Sequence, residues 1–261
     1  MRIDSHHHIW DLSVRDQSWI TGDAMQPIRR NFSMSDLREA IAGHGIDKTV
    51  LVQTVTDYAE TPELLALAES DPLIAGVVGW LKIDAPDAIE HLRGYLDLPS
   101  AKYLKSIRDI AQDHPDSNYL SRPETIANVR KLSEFGIAYD LLTKTPELAG
   151  AITLVKACPD VQFIMDHISK PYIATGEVEP WKSLMTELAS LPNVVCKVSG
   201  LVTEAKWHDW KTPDFKPYVD HLIEMDQTKK EMIRMRGFEW ARNYTWESLG
   251  SAMETQLVAH L

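Results

Sequence analysis

Three consecutive histidines near the start of the chain carry its first chemical signal. They lie in RIDSHHHIW (residues 2–10), a stretch that predicts a β-strand and in which native residues flank the histidines, unlike an expression tag. Because side chains alternate between the two faces of a strand, His6 and His8 share one face and His7 points to the other. Two imidazoles spaced this way can share one metal ion or one substrate oxygen. The pair His6 and His8 is therefore a candidate catalytic site.

A further histidine ends a predicted strand much later in the chain. His167 stands in MDHISKP, with Asp166 before it and Lys170 after it. Alone, such a histidine is more often a hydrogen-bonded structural residue, but beside a histidine pair on another strand it is a candidate third member of the site. The other histidines fall in predicted helices or loops, where we expect solvent exposure: His44, His91, His114, His208, His221 and His260.

Other polar and aromatic groups stand at predicted strand ends. Arg108 offers a planar guanidinium that fits a carboxylate or a sugar oxygen, and the alternative is an ion pair with Asp109 or Asp113. Lys197 interrupts an apolar strand, and a buried lysine needs a partner. Candidates for substrate binding, or for the hydrogen-bonded core, are Gln53, Trp80, Arg108, Tyr139, Asp140, Lys197, Trp207 and Trp210.

Seven short β-rich runs alternate with helical patterns. The predicted strands cover residues 2–9, 48–54, 74–81, 101–108, 136–142, 161–168 and 193–201. Ser33 or Ser35 is a candidate N-cap of one helix, and Thr61 followed by Pro62 begins the next. No glycine-rich phosphate loop follows any strand, which favours an α/β fold of the TIM-type (β/α) barrel over a nucleotide-binding open sheet. In such a barrel the catalytic groups lie at the C-terminal strand ends, where the candidates above are found.

The composition limits the partners of the chain. It has 261 residues, a formal net charge of −11 and two cysteines. An acidic surface disfavours nucleic acid and anionic membranes, so we expect a small-molecule substrate and leave a homo-oligomer open. The sequence shows neither a signal-peptide pattern nor an apolar stretch of membrane-spanning length. Cys158 and Cys196 lie in apolar runs, which predicts buried free thiols and a cytoplasmic location.

Six motifs taken together resemble the amidohydrolase superfamily. They are IDSHHHIWD, GIDKTVLVQT, IAGVVGWLKID, YDLL, MDHISKP and NVVCKVSGLVTEA, and they follow one another in order. The chain is most similar to the sugar-lactonase branch, which includes L-fuconolactonases, L-rhamnonolactonases and pyrone-dicarboxylate lactonases. The resemblance implies a distorted TIM barrel and hydrolysis of a lactone of a sugar acid or a related small carboxylic acid. It also implies His6, His8 and His167 as catalytic and metal-binding residues.

The implied reaction requires water to attack a carbonyl and the resulting oxyanion to be stabilised. One divalent metal ion, zinc, held by the three histidines would activate the water and polarise the carbonyl. Without a metal, the imidazoles would donate hydrogen bonds to the carbonyl oxygen. Metal dependence varies within this branch, so the sequence leaves both forms open. Each form needs a carboxylate as general base, and in the family this is an aspartate on the eighth strand, in a sequence close to GSDWP.

Two departures from the family pattern concern the fourth strand and the C-terminus. The fourth strand ends Arg108-Asp109, where many relatives have Arg-His. No GSDWP follows residue 225, and residues 226–261 have helical spacing instead, with Asp226 or Thr228 as a candidate N-cap. We therefore expect a barrel at residues 1–225, a helical tail packed on it at residues 226–261, and an incomplete or altered eighth strand.

The missing aspartate leaves three functions to compare. The leading hypothesis is a hydrolase of the lactonase type. Glu239, in the sequence GFEWA, is the nearest candidate to replace the lost base, since Glu-Trp stands where Asp-Trp is expected. Without that replacement we expect weak or no lactone turnover, that is, a catalytically impaired barrel or a binding protein. The third hypothesis is a decarboxylase of the amidohydrolase type, and the HISKP and SGLVTEA stretches disfavour it.

Overall fold

The computed structural model describes residues 1–228, in which strands and helices alternate. The strands are β1 (Ile3–His7), β2 (Lys48–Val52), β3 (Ile74–Trp80), β4 (Leu104–Ile110), β5 (Ala138–Leu142), β6 (Phe163–Met165) and β7 (Val194–Cys196). The α-helices are α1 (Met34–Ala40), α2 (Glu60–Ser70), α3 (Ala88–Leu96), α4 (Pro123–Lys131), α5 (Leu148–Ala157), α6 (Trp181–Ala189) and α7 (Thr212–Thr228).

The seven strands form one parallel sheet in the order of the sequence. Each strand pairs with the next, from β1 to β7. The sheet curls into a distorted TIM barrel that, within residues 1–228, is not closed between β7 and β1. The seven predicted strands are thereby confirmed, with ends that differ by a few residues. Because all strands are parallel, their C-terminal ends share one rim, and groups far apart in sequence meet there.

Apolar strand residues make the core, and the helices cover the outside of the sheet. Leu51, Val77, Ile107, Tyr139 and Phe163 come from five different strands, and none of them is exposed. The helices contribute their own buried faces, most extensively α5, whose sequence is almost continuously apolar. Burial on both faces explains why the strands read as apolar runs rather than as alternating ones.

Helix starts follow the capping signals only in part. Ser33 caps α1 as predicted, accepting hydrogen bonds from the backbone of Ser35 and Asp36, while the Asp36 side chain accepts from the backbone of Ser33. The prediction that Thr61 caps α2 is wrong, because the helix already begins at Glu60. Instead, the Thr61 hydroxyl accepts a hydrogen bond from the backbone of Trp80, 2.9 Å away, and ties α2 to β3.

The C-terminal expectations lie largely outside the described residues. Helix α7 continues across the predicted domain boundary at residue 225, so Asp226 lies inside a helix and is not an N-cap. The predicted helical tail, the altered eighth strand and Glu239 belong to residues 229–261, beyond the described part of the chain. Among the described helices, none is long and apolar enough to cross a membrane.

Two smaller predictions can be compared directly with the structure. Cys158 and Cys196 are both free thiols, as predicted, but only Cys158 is fully buried and Cys196 is half-buried. The expected exposure of His221 is wrong, because its side chain packs beside Trp181 and its Nε2 lies 3.0 Å from the Thr186 hydroxyl. Helix α7 therefore presents His221 to α6 rather than to solvent.

Candidate active site

The histidines of β1 divide between the two faces of the strand. The Nε2 atoms of His6 and His8 lie 3.1 Å apart on the inner face. His7 points the other way, and its Nε2 lies 3.0 Å from the hydroxyl of Thr49 on β2. The strand alternation read from the sequence therefore places one pair in the barrel and leaves His7 a packing role.

His167 joins this pair from the opposite side of the sheet. Its ring centroid lies 4.4 Å from that of His6, and its Nδ1 lies 2.9 Å from the hydroxyl of Ser199.

 His167 is thus held by one hydroxyl on its Nδ1 side, which leaves its Nε2 side turned to the pair on β1.

The backbone that carries His167 is strained. His167 to Lys170 form a left-handed turn, with φ between 41° and 58°, a conformation that costs non-glycine residues roughly 1–2 kcal/mol each. The Trp181 indole donates a hydrogen bond of 2.7 Å to the carbonyl of Ile168, and the Ser169 hydroxyl lies 2.7 Å from that of Thr143. These buried contacts hold the turn, and the turn directs His167 toward β1.

A buried ionic cluster lies directly beneath the histidines. Arg108 donates from Nη1 to Asp166 Oδ2 at 2.9 Å and from Nη2 to the backbone carbonyl of Gln53 at 2.9 Å. Lys197 Nζ lies 2.6 Å from Asp140 Oδ2 and 2.9 Å from Asp166 Oδ1. The alternative partners proposed for Arg108, Asp109 and Asp113, are therefore wrong, because the guanidinium points into the barrel while Asp109 faces Trp80.

The cluster shifts the ionisation of its members in opposite directions. Burial alone would raise the pKa of Asp166, but contacts with His6, Lys197 and Arg108 outweigh it and hold that pKa well below its usual range. Burial and the neighbouring Asp166 raise the pKa of Asp140 to about 6, although Lys197 opposes the shift. Burial disfavours the charged form of Lys197, and the two carboxylates more than compensate, so its pKa is raised.

The predicted substrate-binding residues divide into two groups. Gln53, Arg108, Asp140 and Lys197 belong to the buried cluster or border it. Trp80 is buried, and its indole donates a hydrogen bond of 2.8 Å to Asp109. Trp207 is 41% exposed, and its indole donates to the carbonyl of Thr203 at 2.9 Å. The two tryptophans are thus separate from the ionic cluster, and their indole N–H groups are already used.

Sequence reasoning assigned no role to several residues of the cluster. Asp166 is fully buried and contacts two cations, and its position before His167 at the end of a strand was the available signal. Ser199 and Ser106 contact His167 and Asp140, respectively, and nothing in their local sequence marks them. Gly200 packs so closely on His167 that a β-carbon there would lie 2.9 Å from the His167 side chain.

The donor set fits a divalent metal ion. Ligand atoms of His6, Asp166 and His167 lie within 4.8 Å of one another. His8 borders this group through its 3.1 Å contact with His6, and its Nδ1 lies 2.8 Å from the carbonyl of Val52. That contact places the His8 proton on Nδ1 and leaves a lone pair on Nε2, which is the usual arrangement of a metal-binding histidine.

Burial of neutral histidines predicts that the fold loses stability in acid. Burial lowers the pKa of His6 and of His7 to about 4 and that of His167 to about 3, whereas unfolded histidine titrates near 6.5. Below pH 6.5 the unfolded chain binds more protons than the folded chain. The contribution of these neutral histidines to the free energy of unfolding is therefore complete above pH 6.5 and decreases as the pH falls. At pH 5 each of these histidines lowers the free energy of unfolding by on the order of 2 kcal/mol relative to neutral pH. Asp140 acts in the opposite direction, with a smaller effect.

Urea unfolding at pH 7 and pH 5 measures this loss. We expect a clearly lower free energy of unfolding at pH 5, and a shallower pH dependence in His7→Gln, which removes one of the titrating groups outside the candidate site. Equal stability at the two pH values would contradict the burial of neutral imidazoles.

Comparison with known proteins identifies the family of the chain. Residues 3–230 match the amidohydrolase family. An L-fucono-1,5-lactonase of Burkholderia ambifaria is 33% identical over 221 residues, which cover 84% of this chain and 73% of that protein. An L-fucono-1,5-lactonase of Burkholderia multivorans is 30% identical over 213 residues, which cover 79% of this chain and 70% of that protein.

A solved structure supports the same assignment. The crystal structure of an amidohydrolase from Burkholderia multivorans with bound zinc superimposes with a TM-score of 0.79 at 26% identity, covering 100% of this chain and 93% of that one. The family match spans most of the chain, including the strands that carry the histidine cluster. The chain therefore belongs to the amidohydrolase family.

Proposed function

We propose that the protein hydrolyses the lactone of a sugar acid or of a related small carboxylic acid. The observation that carries this proposal is the cluster of His6, His8 and His167 at the C-terminal rim of the barrel. The L-fucono-1,5-lactonases among its relatives support the substrate class. The two free thiols support a cytoplasmic location for this activity.

The three histidines act on the lactone carbonyl in this proposal. A zinc ion held by His6, His8 and His167 would supply Lewis-acid activation of the carbonyl and of a water molecule. The imidazoles also serve this purpose directly, because a ring N–H donates a hydrogen bond to the oxyanion as it forms. Arg108 and Lys197 hold Asp166 beneath the histidines, so the cluster is ordered before the substrate binds.

Glu239 is the general base of this proposal, and its assignment rests on sequence alone. A panel of aldonolactones, followed by acid release, tests it together with the function. We expect Glu239→Gln to lower kcat by about 10²–10⁴-fold, the usual contribution of a general base. Glu254→Gln is the matched control in the same C-terminal segment and should retain kcat. Full activity in Glu239→Gln would refute its role, and a folded protein that hydrolyses no lactone would refute the function.

Gln53 provides a separate test of substrate binding. Its side chain is fully buried, and neither its amide nitrogen nor its amide oxygen has a hydrogen-bond partner among the described residues. An amide left unpaired in the protein is available to a polar substrate or to water. We expect Gln53→Met to raise KM roughly 2–10-fold, with kcat unchanged and the free energy of unfolding equal or about 1 kcal/mol higher.

Asn128 is the matched control for this substitution. It is also a buried amide, but its nitrogen donates to the carbonyls of Ile83 and Ala85 at 2.9 Å and 2.8 Å. Asn128→Leu should therefore lower stability and leave KM unchanged. If Gln53→Met instead destabilises the protein without changing KM, its amide is a structural group.

A further inference from the structure

The ammonium group of Lys197 lies next to the histidines and between two carboxylates. Its Nζ lies 2.6 Å from Asp140 Oδ2, 2.9 Å from Asp166 Oδ1 and 3.3 Å from Nδ1 of His6. The contacts with Asp140 and His6 are hydrogen bonds, and the contact with Asp166 is an ion pair. An ammonium has N–H donors and no lone pair, so it can only donate. Asp166 Oδ1 also lies near Nδ1 of His6, at 3.5 Å, but of these two groups only Lys197 is within hydrogen-bonding geometry of that atom. We take Lys197 as the donor to His6, so that Nδ1 of the neutral imidazole carries no proton.

The proton of His6 must then lie on Nε2, and the neighbouring contacts agree with this position. The His6 Nε2–H faces Nε2 of His8 at 3.1 Å, and that atom accepts because the His8 proton is on Nδ1. The His8 Nδ1–H donates in turn to the carbonyl of Val52 at 2.8 Å. One arrangement of protons satisfies the whole chain of contacts from Lys197 to Val52.

A metal ion requires a different arrangement. To bind a metal through Nε2, His6 must move its proton to Nδ1, where it would face an N–H of Lys197. Asp166 is also engaged, because Arg108 Nη1 lies 2.9 Å from Oδ2 and Lys197 Nζ lies 2.9 Å from Oδ1. The charges of the two aspartates in the cluster are thus already balanced by a lysine and an arginine.

We propose that Lys197 is a positioning residue that holds the His6 proton on Nε2 and thereby weakens divalent-metal binding at the histidine cluster. The Nε2–H of His6, which faces His8 in the protein without substrate, is thereby kept as a donor that the carbonyl oxygen of a substrate can accept in place of His8. This role differs from the substrate contact expected for Lys197 from the sequence, and it deepens the proposed function, on which it rests only for the identity of the substrate carbonyl.

Zinc affinity and ring-nitrogen NMR test the proposal without any lactone. Chelator-treated wild type and Lys197→Met are titrated with zinc against a chromophoric chelator. We expect Lys197→Met to bind zinc at least about tenfold more tightly, because a fixed positive charge next to a dication is removed from a medium of low effective dielectric. Long-range ¹H–¹⁵N spectra, with His6 assigned by its loss in His6→Gln, should show the Nε2–H tautomer in wild type and lose it in Lys197→Met.

Two further variants separate this effect from misfolding and from general charge. Lys197→Met combined with Asp140→Asn keeps the cluster balanced and should retain the gain in zinc affinity even if the single variant is unstable. Lys144→Met removes a lysine that pairs with Asp113 at 2.7 Å, away from the histidines, and should leave zinc affinity unchanged. An unchanged zinc affinity in folded Lys197 variants, an equal gain in Lys144→Met, or a His6 Nδ1–H tautomer in wild type would overturn the proposal. Failure to hydrolyse any lactone would not affect these readouts.

Discussion

Replacing His6 by alanine is expected to lower kcat for lactone hydrolysis by about 10²–10³-fold, the usual effect of losing one donor to a developing oxyanion. His6 lies at the centre of the cluster, in contact with His8 at 3.1 Å and with the ring of His167 at a centroid distance of 4.4 Å. His8→Ala should also lower kcat, because Nε2 of His8 accepts from the Nε2–H of His6 and orients that donor. Steady-state kinetics with a hydrolysed aldonolactone measure both effects.

His7 is the internal control for this prediction. It has the same side chain in the same tripeptide, but it faces Thr49 on the outer side of the sheet. His7→Ala should keep kcat within about twofold of wild type and lose about 1–3 kcal/mol of unfolding free energy, because Thr49 is left without its buried partner. Equal losses of turnover in all three alanine variants, with unchanged stability, would show that strand alternation does not organise the site.

Local sequence patterns were sufficient to predict the strands of this fold but not all of its helix boundaries. Strands buried on both faces give apolar runs, so β2 and β3 were visible within a residue or two of their observed ends. Helix starts are less certain because several residues can cap, as Ser33 does, and because tertiary contacts compete for the same groups. Thr61 illustrates the competition, since its hydroxyl bonds to β3 instead of to its own helix.

The sequence predicts those parts of the site whose positions depend on the alternation of side chains along one strand. It does not predict the contacts between side chains on different strands. Alternation was enough to place His6 and His8 together and His7 apart. The partner of Arg108 could not be read from the sequence, because Asp166 is 58 residues away and only the curl of the barrel brings the two together. Neighbours in sequence, Asp109 and Asp113, were the wrong candidates for the same reason.

Asp166 is expected to be the residue of the cluster on which stability depends most. It is fully buried, and its two oxygens face Arg108 and Lys197, so its removal leaves two buried cations with fewer partners. Breaking a buried ion pair by removing one member typically costs 3–5 kcal/mol, because the remaining charge stays out of water without compensation. We expect Asp166→Ala to lose about that much free energy of unfolding, measured by urea denaturation at pH 7.

An exposed ion pair provides the comparison that separates burial from charge. Glu69 pairs with Lys102 at 2.9 Å, and both side chains are largely exposed. Glu69→Ala should change the free energy of unfolding by less than about 1 kcal/mol, since water and salt already screen such a pair. A loss in Asp166→Ala no larger than that in Glu69→Ala would mean that water enters the barrel and solvates Arg108 and Lys197. In that case the ionic cluster would not hold the histidines in place, and the orientation of His6 toward a substrate would depend on other contacts.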